Sequence, residues 1–176
     1  AHPGSAEILE ALPNTKQEVL ALIAGVSKTN KYVFIKGMAH HYLTKKPDYI
    51  LSSSNMILIR HPEKLFASFA KVIEHPTIEY IGINKAAGIF TYLKARGKTP
   101  IVIDSDELLK NPTAYLEKIC KLLHIPFSNA MMSWQKGGIE EDGVWAQYWY
   151  ANVHQSTGFA VQKTSSQIMP ERLSAV

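Results

Sequence analysis

The chain has a single cysteine, Cys120, so no intrachain disulfide can form and the fold has to be held by packing. Leu116, Ile119 and Leu123 recur with it at helical spacing, which places its thiol among packing groups on an apolar helix face. A protein that does not use cysteine as a staple fits a reducing compartment, and a cytoplasmic location is expected. No apolar run approaches the roughly 18 residues of a membrane-spanning helix, and no charged-then-apolar leader opens the sequence, so a soluble chain without membrane contact is expected. Basic residues are not gathered into a block. The 19 Lys and Arg stand against 15 Asp and Glu for a formal charge of +4, which suits a basic pocket for a small anion and indicates no nucleic-acid footprint. The phosphate-cradling pattern G-x-x-x-x-G-K-S/T is also missing, which weighs against a nucleotide kinase.

What is present is enough apolar material, 46% of 176 residues, for one core of ordinary size, and residues 1–176 are read as a single domain. The stretch from Asn55 to Ser68 organises the rest. Met56-Ile57-Leu58-Ile59 is a short apolar run without polar alternation, as in a parallel strand covered on both faces. Pro62 ends that ladder and suits the first position of a helix, and Glu63 follows where the helix dipole favours an anion. Arg60 therefore stands at the carboxyl end of a strand, the edge at which open α/β sheets bind ligands. Ser68, eight positions on, lies at the boundary of the apolar face of the next helix. A guanidinium fork plus a hydroxyl suits a phosphate; a salt bridge at Arg60 and a solvated Ser68 is the plainer reading.

Around that corner the pattern alternates. A short helix is predicted near Glu7–Leu12, and a capping box, Thr15 with Glu18, opens a helix running to about Ser27. Tyr32–Ile35 reads as a buried strand, Pro62–Glu74 as a helix, and Thr77–Arg96 as a longer helix softened by Gly82 and Gly88 and closed by Gly97. Ile101–Ile103 reads as a third strand. Asp104-Ser105-Asp106 caps a helical turn, and Asn111-Pro112 starts a helix that stops at His124-Ile125-Pro126. Three strands alternating with helices argue for an α/β layer around a parallel sheet. Residues 128–159, with all three tryptophans and Gly137, Gly138 and Gly143, fit a loop and helix folded over a site.

Two segments then carry a resemblance. Leu58-Ile-Arg60-His-Pro62 with Ser68 looks like the 3′-phosphate-binding strand and helix of the sulfotransferase family, and Ile101 through Pro112 into Ile119–Pro126 is similar to that family's strand, acidic turn and long helix. The resemblance implies a three-layer α/β fold, a parallel central sheet flanked by helices of the P-loop NTPase-like kind. It also implies 3′-phosphoadenosine 5′-phosphosulfate (PAPS) as cofactor, a small-molecule or other hydroxyl-bearing acceptor, and no metal. On it, Arg60 and Ser68 become 3′-phosphate ligands, with Lys136 and Gly137 as further cofactor contacts from the segment Trp134–Gly138. The family's general base is a histidine in a lysine-x-histidine pattern; here Lys36-Gly37-Met38 stands at that place, and His40 and His41 follow as candidate bases. The family's first strand and its serine- and glycine-bearing phosphosulfate loop have no counterpart in these residues. A native chain extending further toward the N-terminus is therefore expected. A nucleotide kinase-like enzyme and a non-catalytic nucleotide-binding or scaffold module of the same fold are the alternatives.

Overall fold

The structure, a computed structural model, describes residues 4–42, 47–70, 73 and 77–160. The chain divides into two compact units, one of Ala1–Lys36 with Ser133–Gly158, the other of Gly37–Met132 with Phe159–Val176.

The first unit begins with α1 (Ser5–Ala11) and α2 (Lys16–Thr29). The predicted capping box is formed: Glu18 N–H donates to Thr15 Oγ1 at 3.2 Å, and Thr15 N–H donates to the Glu18 carboxylate at 3.1 Å. Two of the helix's orphan donors are thereby satisfied. Tyr32–Ile35 corrects the sequence reading. This run belongs to no strand among the described residues, and Phe34 is 77% exposed. A β-prone run becomes a strand only where an edge takes its hydrogen bonds, and the strands that do pair lie in the other unit.

In the second unit, 3₁₀ turns at Ala39–His41 and Asp48–Ile50 precede β1 (Met56–Ile59). The Asn55 amide donates to the carbonyls of Ile50 at 2.9 Å and Ser53 at 2.8 Å, which fixes the entry to that strand. Then come α3 (Pro62–Phe69), α4 (Ile78–Ile81), α5 (Ile83–Ala95), β2 (Ile101–Asp104), α6 (Ser105–Lys110) and α7 (Pro112–Leu123). Pro62 occupies the start of α3 as its sequence position required; the described helix ends at Phe69, and Glu74, the expected end, lies outside the described residues. The long helix expected over Thr77–Arg96 is broken into α4 and α5 at Gly82, whose φ is +68°. A Cβ there would lie 3.1 Å from the backbone nitrogen of His40, so both conformation and space demand glycine.

β1 and β2 pair in parallel, Met56 with Ile101 through Ile59 with Asp104, and make a two-stranded sheet flanked by helices. Parallel neighbours need a crossover, here α3 to α5. Ile50, Phe66, Ala67, Leu93, Ile103, Ile119 and Cys120 form the unit's buried core. Full cover on both faces, expected from the unbroken apolar runs, is not found: Leu58 is 66% exposed, and Ile59 and Val102 are exposed as well. Among the described residues two strands pair instead of three, so each is an edge.

The first unit resumes with an antiparallel bridge between Ser133 and Gly158, between which lie α8 (Ala146–Trp149) and α9 (Ala151–His154). Among the described residues no helix is long and apolar enough to cross a membrane.

Candidate functional site

Because β1 and β2 are parallel, their carboxyl ends share one edge, and Ile59 opposite Asp104 is the last pair. Arg60 leaves the sheet at that edge, half-buried, and forms no hydrogen bond or ion pair among the described residues. Ser68 lies in the last turn of α3, also half-buried, and its hydroxyl has no partner among the described residues. His61, between Arg60 and Pro62, is exposed.

Two helix starts flank the edge. Lys64 in the first turn of α3 pairs with Asp106 in the first turn of α6, Nζ to Oδ2 3.0 Å. Asp104 caps α6 by accepting from the N–H groups of Asp106 at 2.8 Å and Glu107 at 3.2 Å, while its own N–H donates to the Tyr115 hydroxyl on α7 at 3.1 Å. The end of β2 is thus tied to α6 and α7, and the first turn of α3 to the first turn of α6. Ser105 Oγ, one residue beyond β2, is enclosed without a hydrogen-bond partner among the described residues. The Lys64–Asp106 pair escaped the sequence reading because 42 residues separate its members. The signal that would have found it is two parallel strands each followed by a helix, with opposite charges in the two first turns.

His40 lies in the 3₁₀ turn Ala39–His41 and lines a cavity of about 400 Å³ with Thr77, Glu79 and Tyr80. The turn packs against α4 and α5. His41 is in the same turn, but its side chain lies outside the described residues.

Lys136 and Gly137 belong to the first unit. Lys136 is exposed. Gly137 has φ +112°, which glycine alone adopts readily, and its N–H donates to the His154 carbonyl at 2.8 Å. Ile139 N–H donates to Asp142 Oδ2 at 3.0 Å, and His154 Nε2 lies 2.9 Å from the same oxygen. The Ile139 N–H, and then His154, hold the Asp142 carboxyl below its ordinary range against the opposing effect of burial. Trp134 donates its indole N–H to Ser156 Oγ at 3.0 Å and bonds Thr157 O through its backbone, so this segment is zipped onto the residues after α9. Asp142 and His154 were not singled out from sequence, since nothing local marks a histidine as the partner of a glycine loop. Among the described residues no group of three or more His, Cys, Asp or Glu is placed to hold a metal ion.

A family model described as "Sulfotransferase domain" matches residues 1–170 and so runs through both units. Two proteins of Arabidopsis thaliana are similar. Branched-chain-amino-acid aminotransferase-like protein 1 is 35% identical over 165 residues, and branched-chain-amino-acid aminotransferase-like protein 2 is 35% identical over 171 residues. These alignments cover 93% and 96% of this chain but 30% of each relative, so the chain spans under a third of the length of the curated relatives it matches. No solved structure matches significantly.

Proposed function

We propose a function from one premise: the chain belongs to the sulfotransferase domain family, which it matches over residues 1–170. It moves a sulfuryl group from PAPS to a hydroxyl-bearing small molecule, and residues 1–176 act as one domain in doing so. The observation that carries this reading is Arg60: a guanidinium at the carboxyl end of a parallel strand, without a partner among the described residues, with a helix starting two residues later. Such a planar fork matches a phosphate in two hydrogen bonds. The six residue steps along α3 from Pro62 to Ser68 are about 9 Å of helix rise, a separation that an extended arginine and a phosphate bridge together.

In this reading Arg60 and Ser68 hold the 3′-phosphate, and Lys136, beside Gly137, adds a cation from its own loop. PAPS supplies the activated sulfuryl group when bound. The chain's own work is positioning and charge stabilisation, plus a base for the acceptor hydroxyl. His40 takes that proton, and the cavity it shares with Thr77, Glu79 and Tyr80 receives the acceptor; His41, next to it, is the other candidate base. The exposed apolar positions Leu58, Ile59 and Val102 are those that a three-layer, P-loop NTPase-like arrangement covers, and we assign that arrangement to the sheet. A buried, free Cys120 suits a cytoplasmic setting. The aminotransferase-like names belong to proteins of which this chain covers 30%, and no aminotransferase activity is assigned to it.

A second reading, a non-catalytic nucleotide-binding module, is favoured by Met38 standing where the family's base would be. Calorimetry with adenosine 3′,5′-bisphosphate and with ATP, followed by an assay for label transfer from radiolabelled PAPS to a panel of alcohols and phenols, separates the readings. Micromolar binding of the bisphosphate with label transfer is expected. Binding without transfer leaves the module, and binding of ATP alone overturns both.

A further inference from the structure

We infer that His154 is a positioning residue that sets the shape of the Lys136–Gly138 loop and thereby the presentation of Lys136 to a nucleotide phosphate; this rests on the cofactor role proposed above for Lys136. The loop is polar, exposed and built around two adjacent glycines, so its sequence alone gives it little reason to hold one conformation. His154 supplies that reason from three directions. Its carbonyl accepts from Gly137 N–H at 2.8 Å, on the residue with φ +112°. Its Nε2 lies 2.9 Å from Asp142 Oδ2, the oxygen that also receives Ile139 N–H, so the imidazole aims the carboxylate that closes the far side of the loop. Its ring lies against Gly138: a Cβ there would come within 2.9 Å of Cε1 and 3.2 Å of Nε2. Gly138 is glycine because the imidazole occupies the place of a side chain.

The imidazole is itself braced. Tyr150 meets it edge to face with centroids 6.1 Å apart, and Lys36 Nζ lies over the Tyr150 ring at 5.2 Å and donates to its hydroxyl at 3.3 Å. His154 and Asp142 are each about three-quarters enclosed, with 25% and 23% side-chain exposure, whereas Lys136 stands in solvent. The enclosed pair holds and the exposed lysine is held.

The test combines amide hydrogen exchange with affinity for adenosine 3′,5′-bisphosphate in the full chain, in His154→Ala, His154→Gln, Gly138→Ala and Lys136→Ala. Exchange at Ile139 is expected to rise about tenfold in His154→Ala and in Gly138→Ala, with amides of α2 unchanged, as loss of a charge-assisted hydrogen bond predicts. His154→Gln, which keeps an N–H donor for Asp142, is expected to recover most of the protection. Affinity is expected to fall about fivefold to tenfold in Lys136→Ala, His154→Ala and Gly138→Ala, and to return with His154→Gln. Unchanged exchange at Ile139 in His154→Ala overturns the inference whatever the ligand does. Raised exchange with wild-type affinity, while Lys136→Ala still weakens binding, overturns the positioning role and spares the cofactor role of Lys136. Wild-type affinity in Lys136→Ala removes that cofactor role and the inference with it.

Discussion

Replacing Leu93 by alanine tests the core assigned to the second unit. Leu93, on α5, has 0% exposure, and its carbonyl accepts from Arg96 N–H at 3.1 Å and Lys98 N–H at 3.0 Å, closing the helix just before the chain turns into β2. Three lost carbons at about 0.8 kcal/mol each give roughly 2.4 kcal/mol of transfer free energy, and the cavity left behind raises the cost to about 3–4 kcal/mol. That is a large part of the roughly 5–15 kcal/mol by which domains are stable, and it corresponds to a fall in Tm of about 10 °C. Leu122 on α7 is the internal control: at 54% exposure it forfeits about half the transfer term and leaves no enclosed cavity, so Leu122→Ala should cost about 1 kcal/mol or less. Urea unfolding followed by circular dichroism, with equal m-values, reads both. A Leu93→Ala cost below about 1 kcal/mol, or equal costs at the two positions, refutes the assigned core.

Other expectations follow from single contacts. A double-mutant cycle with Lys64→Gln and Asp106→Asn should return a coupling near 0.5 kcal/mol, since both side chains are about a third or more exposed; a coupling above about 2 kcal/mol would mean a drier edge than the structure has. Gly97→Ala should destabilise by about 1 kcal/mol through backbone strain alone, because φ is +72° and no atom lies within 4 Å of the added Cβ; urea midpoints measure it, and no change at all contradicts the assigned turn. Asp142 has its pKa depressed in the folded chain, so the unfolded chain binds its proton more readily. Its contribution is complete above about pH 4, the unfolded value, and is lost as pH falls through the lower folded value. The protection of the Ile139 amide, taken relative to its intrinsic exchange rate at each pH, should therefore fall below about pH 4, and Asp142→Asn should remove that acid step.

Legibility in the sequence followed locality. The Thr15–Glu18 box, the Pro62 helix start, the Asn111 cap and the His124 stop depend on residues within a turn of one another, and each formed where the pattern put it. Strand pairing is non-local. Met56–Ile59 and Ile101–Asp104 found each other, whereas Tyr32–Ile35, with equally β-prone residues, has no such partner in the described residues. The Gly82 break between α4 and α5 was only half legible: glycine at that point was visible, but the backbone of His40 that crowds it was not. Arg60 and Ser68 could be nominated because a strand end, a proline and an eight-residue spacing are linear features. The two partnerships that shape their surroundings and the glycine loop, Lys64 with Asp106 and His154 with Asp142, arise only when distant segments meet.

The sharpest test of the account is the affinity of the wild-type chain and of Arg60→Ala for adenosine 3′,5′-bisphosphate, measured by calorimetry at one salt concentration. Loss of a charge-assisted contact to phosphate predicts binding weaker by about tenfold to a hundredfold in the variant, with an unchanged melting temperature because Arg60 has no partner among the described residues. Equal affinity in the two proteins would contradict the claim that this arginine grips the nucleotide.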